Sequence, residues 1–240
     1  MKKNFVLSAI IMCCAISSCT HNVMRLKPVA RETFWSQGKE ITSATHNNIT
    51  TQIAFDRYSD AEKRLYFDVE FTNNSPEPVT IDAGAFYYSA FGRVADSLSE
   101  KSKVLIIKAI DPEAELLAID TKIRDQISLH EKVQVATAVI DIALILVDKR
   151  NQTDDERRAE SEEKDQTRTN AQIEYEESLQ KLYAHRDFWE RYALRKTTLL
   201  PGKSVRGLIA APAEERARSL QLYLPCGNSE NVITFHQDVF

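Results

Sequence analysis

Glycine and proline are scarce in this 240-residue chain, with six and seven residues, which excludes collagen-like and low-complexity sequences. Four cysteines are too few for a disulfide-stabilised scaffold. Basic residues are not in excess, because 31 Lys and Arg are outnumbered by 35 Asp and Glu, and the formal net charge is −4. That balance argues against nucleic acid as a partner. Hydrophobic residues at 43% and charged residues at 28% are instead ordinary for a protein that buries a core.

The first 19 residues have the layout of a bacterial export signal. Lys2 and Lys3 precede an apolar run at 5–15, which is too short to span a bilayer as a helix. The run is followed by Ile16-Ser17-Ser18-Cys19. This sequence resembles the lipobox of bacterial lipoproteins, in which an aliphatic residue and two small residues precede the cysteine that is acylated.

The lipobox implies a signal peptide at 1–18 that is recognised through Ile16, Ser17 and Ser18, with lipid attachment at Cys19. The alternative is an ordinary secretory signal peptide that is cut near Ser18 without acylation. Thr20 stands where an aspartate would favour retention in the inner membrane, and no acidic cluster follows it. We therefore expect a protein of the cell envelope that is held in the membrane by its lipid anchor. The outer membrane, with the chain facing the periplasm, is the expected location.

The hydrophobic pattern divides the rest of the chain into β and helical parts. Apolar and polar residues alternate within 49–96 and again within 196–240, which predicts half-buried strands in both. Neither part has enough strands to close a core alone, so we assign both to one β-sandwich. Residues 19–48 lack a sustained period and are predicted to form a tether and a docking segment, with Phe34 and Trp35 as its anchor.

The residues between the two β parts, 97–195, are predicted to form a helical insertion. Asp111-Pro112-Glu113 has the residues of a helix start. The apolar stretch Val133–Val147 is predicted to be a buried helix, with membrane insertion as the minority alternative. Residues 151–170 carry seven acids and four bases and are predicted to be a polar link, either a solvated helix extension or a loop. A heptad-like stripe at 175–193 predicts a second long helix, antiparallel to the first.

Two stretches resemble the Ig-like accessory domains of bacterial, Bacteroidetes-type lipoproteins. The sequence from Tyr66 to Ser75, followed by Pro78-Val79-Thr80-Ile81, is similar to their strand, Asn-rich turn and strand. The sequence from Leu199 to Leu208 is similar to their L-x-P-G-x-x-x-x-G strand pair. The resemblance implies an Ig-like antiparallel sandwich and supplies no catalytic residue. We therefore predict an α+β fold in which the N- and C-terminal segments form this sandwich around a long inserted α-helical hairpin.

Motifs for catalysis or for binding a metal or cofactor are weak throughout the sequence. Gly202-Lys203-Ser204 is similar to the end of a phosphate-binding loop, but position 197 is Thr where that loop needs Gly. His130 and His185 are placed to approach each other across the helix pair, although surface histidines are the favoured interpretation. We predict no catalytic residue, no metal and no cofactor.

Two further residues carry possible chemistry. Cys226 is the only cysteine left beside Cys19 after signal cleavage, so no internal disulfide is expected. A buried thiol is the favoured interpretation and a reactive thiol the alternative. Asp96-Ser97-Leu98 resembles the short O-glycosylation signal of Bacteroidetes envelope proteins, and a plain helix or turn cap is the alternative for Ser97.

These features together predict a non-enzymatic envelope lipoprotein. Its Ig-like module is expected to bind or position a protein partner from the envelope, with the helical insertion as the specific surface. One alternative is a small-ligand binder or an enzyme with a site between the insertion and the sandwich, for which a deep pocket with convergent polar groups is the discriminating feature. Another alternative is a structural subunit of a larger envelope complex.

Overall fold

The computed structural model describes residues 23–92, 105–146 and 154–239. Two antiparallel sheets and two long helices account for most of these residues. The predicted signal peptide, Cys19 and Ser97 lie outside them, as does the end of the apolar stretch at Val147.

Twelve strands and two helices are formed by the described residues. The strands are β1 (Met24–Pro28), β2 (Phe34–Ser36), β3 (Lys39–His46), β4 (Ile49–Ser59), β5 (Arg64–Asn73), β6 (Val79–Ile81), β7 (Tyr87–Phe91), β8 (Leu105–Lys108), β9 (Thr197–Leu199), β10 (Ser204–Pro212), β11 (Ser219–Cys226) and β12 (Ser229–Val239). The helices are α1 (Pro112–Leu146) and α2 (Asp154–Tyr192).

The N- and C-terminal strands are interleaved in both sheets. The five-stranded sheet has the order β10-β5-β4-β3-β2. In the seven-stranded sheet, β1 pairs with β12 and β12 with β11, while the other edge of β11 is shared by β7 and β6, which continue to β8 and β9 respectively. The architecture is therefore mixed α+β and is consistent with one β-sandwich that carries a helical insertion, as the sequence predicts.

Of the segment 19–48, predicted as a tether with a docking segment, the described residues 23–48 contribute three strands. The side chains of Met24 and Leu26 in β1 are buried, while Phe34 and Trp35 in β2 are 46% and 61% exposed and are not packed into the core of the described residues. Both strands are too short for their alternation to stand out from a polar sequence. In the predicted insertion, β8 belongs to the seven-stranded sheet, so among the described residues the helical part consists of α1 and α2.

The core between the two sheets is built on alternating apolar residues. In β5, Phe67 and Phe71 are at most 1% exposed and point to the sandwich interior. The ring of Phe67 lies 5.3 Å from that of Phe235 in β12, and the ring of Phe71 lies 5.7 Å from that of Phe86. Each aromatic pair therefore joins a strand of one sheet to a residue of the other layer, which stabilises the sandwich by burying large apolar surfaces.

Asn73 holds the Asn-rich turn after β5 and is fully buried. Its side-chain amide donates hydrogen bonds to the carbonyl oxygens of Glu77 and Leu199, at 2.8 and 2.9 Å. Its side-chain oxygen accepts from the backbone N–H of Ser75 at 2.9 Å and from the Ser75 hydroxyl. One side chain thus joins the turn to β9, on the far side of the helical insertion.

We predict that Asn73→Ala lowers the free energy of unfolding by about 2–3 kcal/mol, because it leaves buried backbone carbonyls without donors. Urea unfolding followed by circular dichroism measures the change. The matched control is Asn74→Ala. The side-chain amide of Asn74 donates to the Thr50 hydroxyl at the surface, so this variant should lower the free energy of unfolding by less than about 1 kcal/mol. Equal losses in both variants would contradict the role given to Asn73.

A second core lies between the outer face of the five-stranded sheet and the base of the hairpin. Tyr66 of β5 and Ala210 of β10 are buried there against the helices. The helix residues of this cluster share one face of each helix: Leu116, Ile119, Ile123 and Trp189, with Leu179, Leu182 and Phe188 half-buried beside them. Gly207 of β10 is required at this contact, because a Cβ atom at this position would lie 2.7 Å from the Leu194 backbone.

The hairpin is antiparallel, as predicted. Asp120 of α1 pairs with Arg186 of α2 at 2.7 Å, and further along the hairpin the ring of His130 stacks on that of Tyr175 at a centroid distance of 3.7 Å. The polar link predicted at 151–170 is helical from Asp154 onward, which corresponds to the solvated helix extension.

The prediction that Val133–Val147 is buried is wrong for the side chains that the structure describes. The large apolar residues in this stretch are 54–65% exposed: Val133, Val135, Val139, Ile140 and Ile142. The facing half of α2 presents charged and polar side chains to the groove between the helices, so it offers no apolar stripe to pack against. Neither helix, over its described length, is long and apolar enough to cross a membrane.

Candidate interaction surfaces

The base of the hairpin covers only part of the outer face of the five-stranded sheet. Beside it a cleft of about 480 Å³ remains open between α2 and strands β3, β4, β5 and β10. We call it the outer-face cleft, and its lining residues are Lys39, Asp56, Arg57, Asp68, Phe188, Arg191, Tyr192, Arg206, Gly207 and Leu208. It lies where the sequence places its alternative ligand site, between the insertion and the sandwich.

An ion-pair network forms the floor of the outer-face cleft. The Lys39 ammonium lies 2.7 Å from Asp56 and 2.9 Å from Asp68, and it reaches both carboxylates because β3, β4 and β5 are neighbours. Arg206 of β10 donates two hydrogen bonds to the two oxygens of Asp68, at 2.8 and 2.7 Å. The hydrogen bonds from Arg206 and then Lys39 hold the pKa of Asp68 below its usual range. The charged groups of the floor are thus paired with one another within the protein itself.

Aromatic rings and arginines form the wall of the outer-face cleft. The Arg57 guanidinium lies 4.3 Å from the centre of the Tyr66 ring and 5.2 Å from that of Phe188. The ring of Tyr192 lies 5.7 Å from that of Phe188, and its side chain is 55% exposed at the rim. Tyrosine and arginine are enriched where proteins bind other proteins. The sequence indicated a possible site between the insertion and the sandwich, but it indicated none of these residues.

The outer-face cleft continues toward the edge strand β2. A smaller depression of about 150 Å³ shares Lys39, Asp68 and Arg206 with it and extends to Phe34. Because Phe34 and Ile41 are paired across β2 and β3, the half-exposed ring lies on the same sheet face as the ion pairs. Two aromatic side chains, Phe34 and Tyr192, therefore flank one continuous concave surface.

The residues predicted to carry chemistry are not brought together. His130 stacks on Tyr175, whereas His185 lies ten residues further along α2, about 15 Å away along the helix axis. The Trp189 indole N–H donates to the His185 ring at 2.9 Å. Among the described residues, no three His, Cys, Asp or Glu side chains are grouped so that they could hold a metal ion.

Cys226 lies at the end of β11 and is buried. Burial raises the pKa of its thiol to about 12. A thiol in this state is a poor nucleophile at neutral pH, so its surroundings favour the buried interpretation over the reactive one. Gly202, in the segment that is similar to a phosphate-binding loop, has a φ of +70° in the turn before β10, and no helix follows it as that loop requires.

The distal half of the hairpin forms a second candidate surface. A groove of about 820 Å³ separates the helices there, with Val133, Ala138 and Ile140 on one wall and Glu163, Arg168 and Gln172 on the other. On the side of α1 away from this groove, Val135, Val139 and Ile142 recur at spacings of four and three. We call these three residues the outer stripe, and each is at least 60% exposed.

Comparison with known proteins gives no match: no protein-family model, curated protein or solved structure resembles the chain significantly.

Proposed function

We propose that this chain is a lipid-anchored protein of the cell envelope that binds a protein partner and is not an enzyme. The anchor is Cys19, and the module is an Ig-like sandwich. The partner binds at the outer-face cleft, where the base of the helical insertion meets the sheet. The expected location is the outer membrane, on its periplasmic side. The observation that carries the proposal is the concave surface flanked by Phe34 and Tyr192.

The composition of this surface supports a protein as the occupant. Exposed aromatic rings supply large contact areas, and the side chains of Arg206 in the floor and Arg191 on α2, which are 54% and 67% exposed, add to the contact surface. An ion-pair network that is already complete leaves few unsatisfied groups to orient a small molecule. The surface is also open and extended along the sheet, which suits a macromolecule.

A small ligand is the second candidate occupant, because a volume of about 480 Å³ lies within the range of small-molecule pockets. Native mass spectrometry of the protein purified from its own cells distinguishes the two. A bound small molecule that is lost on Arg206→Ala supports the second candidate, and an unliganded chain supports the first.

The anchor is tested by Cys19→Ala. We expect this variant to leave the membrane fraction or to remain as the uncleaved precursor, because no thioether can form without the thiol. Fractionation and the mass of the N-terminal peptide measure the outcome. A mature Cys19→Ala protein that still sediments with membranes would show that the lipobox interpretation is wrong.

The partner site is tested by placing a photo-crosslinking amino acid at Tyr192 in intact cells. We expect one discrete protein adduct, and we expect Arg206→Glu to reduce its yield about tenfold, which corresponds to losing a contact worth about 1.4 kcal/mol. The matched control is the same amino acid at Tyr183, which is 49% exposed on α2 but outside the cleft. Equal adducts from both positions, or an adduct that is insensitive to Arg206→Glu, would contradict the proposed site.

A further inference from the structure

The first described residues emerge at one particular end of the sandwich. Met24 in β1 is paired with Val239, at the end of β12. Two residues earlier in β12, the Gln237 amide donates to the carbonyl oxygens of Glu214 and Glu215. The Glu215 carboxylate in turn accepts a hydrogen bond from Tyr58 at 2.6 Å and pairs with Lys63, close to the turn that joins β4 to β5. The chain therefore enters the sandwich at the β4–β5 end.

The hairpin leaves the sandwich at the same end. Just before α1, Ile110 donates its N–H to the carbonyl of Ala210, opposite Tyr66, the third residue of β5. Further on, Glu115 pairs with Arg64 at the start of β5. In α2, His185 then lies 3.5 Å from Glu62, within the β4–β5 turn itself. Successive contacts thus advance toward the β4–β5 end, and the rest of both helices projects beyond it.

The reach of the two segments can be compared. From Asp120 to Leu146, α1 extends for about 40 Å beyond these last contacts with the sandwich. Cys19 precedes Met24 by five residues, so an acyl chain on Cys19 is attached at most about 18 Å from the β4–β5 end. The distance from this end of the sandwich to the bilayer that holds the anchor is therefore shorter than the distance by which the hairpin projects beyond the same end.

The two helices of the distal hairpin differ in the way that a bilayer surface requires. The outer stripe of α1 is apolar and points away from α2. In contrast, residues 151–170 hold seven acids and four bases, which favour water over the headgroup region. Glu131 and Lys132 both adjoin Val135 at the end of the outer stripe nearer the sandwich. The long side chain of Lys132 can extend its charge to the headgroups from there. An apolar face of this size marks a surface that is covered by something else.

We propose that the distal hairpin docks on the bilayer that holds the lipid anchor, with the outer stripe in the interfacial region and α2 toward water. This inference rests on the proposed anchor at Cys19, and it does not depend on a protein bound at the outer-face cleft. The docked hairpin fixes the orientation of the sandwich on the membrane, which a flexible tether alone does not.

The test uses the full-length acylated protein reconstituted in vesicles of phosphatidylethanolamine and phosphatidylcholine that carry nitroxide on their acyl chains. An environment-sensitive fluorophore is attached at Val139→Cys, and the buried Cys226 thiol stays unlabelled. The matched control carries the label at Glu163→Cys, an exposed residue on the α2 wall of the groove between the helices. We expect about twofold or stronger lipid quenching at position 139 than at position 163, and we expect Val135→Gln with Ile142→Gln to remove this difference.

Each other outcome overturns the proposal. If the acyl mass on Cys19 is absent, both the anchor and this inference are wrong. If the acyl mass is present and position 139 is quenched no more than position 163, this inference alone is wrong and the proposed function stands. Energy transfer between labelled copies in place of lipid quenching would assign the outer stripe to a second copy of the chain.

Discussion

Replacing Gly207 with valine should separate the base of the hairpin from the sheet. A Cβ atom at this position would lie 2.7 Å from the N and Cα atoms of Leu194, closer than real Cβ atoms approach backbone. Leu194 donates its N–H to the carbonyl of Leu208 at 2.8 Å, and this bond breaks if either backbone moves away. Trp189, five residues before Leu194, is buried in the hairpin base. The packing of the base is therefore lost when the Leu194–Leu208 hydrogen bond breaks.

The expected loss for Gly207→Val is about 3 kcal/mol, the upper range for overpacking, because both contacting segments are backbone and neither can rotate away. Urea unfolding gives the magnitude, and the near-ultraviolet circular dichroism of Trp189 reports the hairpin base. The matched control is Gly202→Val, where φ is +70° but no atom lies within 4 Å of a Cβ. That variant should lose about 1–2 kcal/mol through backbone strain, with the Trp189 signal unchanged. A normal Trp189 signal in Gly207→Val would refute the close contact.

Neither β part should fold without the other. Strand β5 is paired along its whole length with β10, β7 is paired with β11, and β6 with β9. A chain of residues 23–92 alone loses every one of these partners, exposes the inner faces of both sheets and presents unpaired edges. We expect no cooperative thermal transition from 23–92 or from 196–240, and aggregation in its place.

Mixing of complementary fragments provides the positive control for this experiment. Residues 19–150 and 151–240 each hold one helix and one set of strands, so together they restore all of these strand pairs. We expect the two fragments to associate and to unfold in one transition that depends on concentration. A cooperative transition from either β part alone would show that the sandwich is two independent units.

Much of the fold could be predicted from the alternation of apolar and polar residues, because burial alternates along each strand. The alternation in β5 predicts its buried face correctly, including Phe67 and Phe71. The same rule assigns Tyr66 to a solvent-exposed face, yet it is 1% exposed because the hairpin base covers it. A period of two reports which residues share a face and does not report what lies opposite.

The candidate surfaces were harder to predict because they are assembled from distant segments. Lys39, Asp68 and Arg206 meet only because β3, β4, β5 and β10 are neighbours in one sheet. Lys39 stands in no motif, and the two stretches that contain Asp68 and Arg206 resemble Ig-like domains without assigning either residue a binding role. The prediction that Val139 and its neighbours are buried was wrong for a different reason. An apolar stretch does not by itself show that the same chain buries it.

The hairpin also determines how fast the sandwich can assemble. Pairing of β5 with β10 joins residues such as Val69 and Gly207, more than one hundred positions apart, and closing so long a loop is entropically costly and slow. Helices form from local contacts, and the ion pair between Glu113 and Arg195 shows that the two ends of the insertion meet at its base. Once α1 and α2 have paired, the loop that separates β5 from β10 is shortened to residues 74–111 and 193–203, which lie outside the hairpin. A chain with a flexible linker of equal length in place of the insertion would therefore refold more slowly.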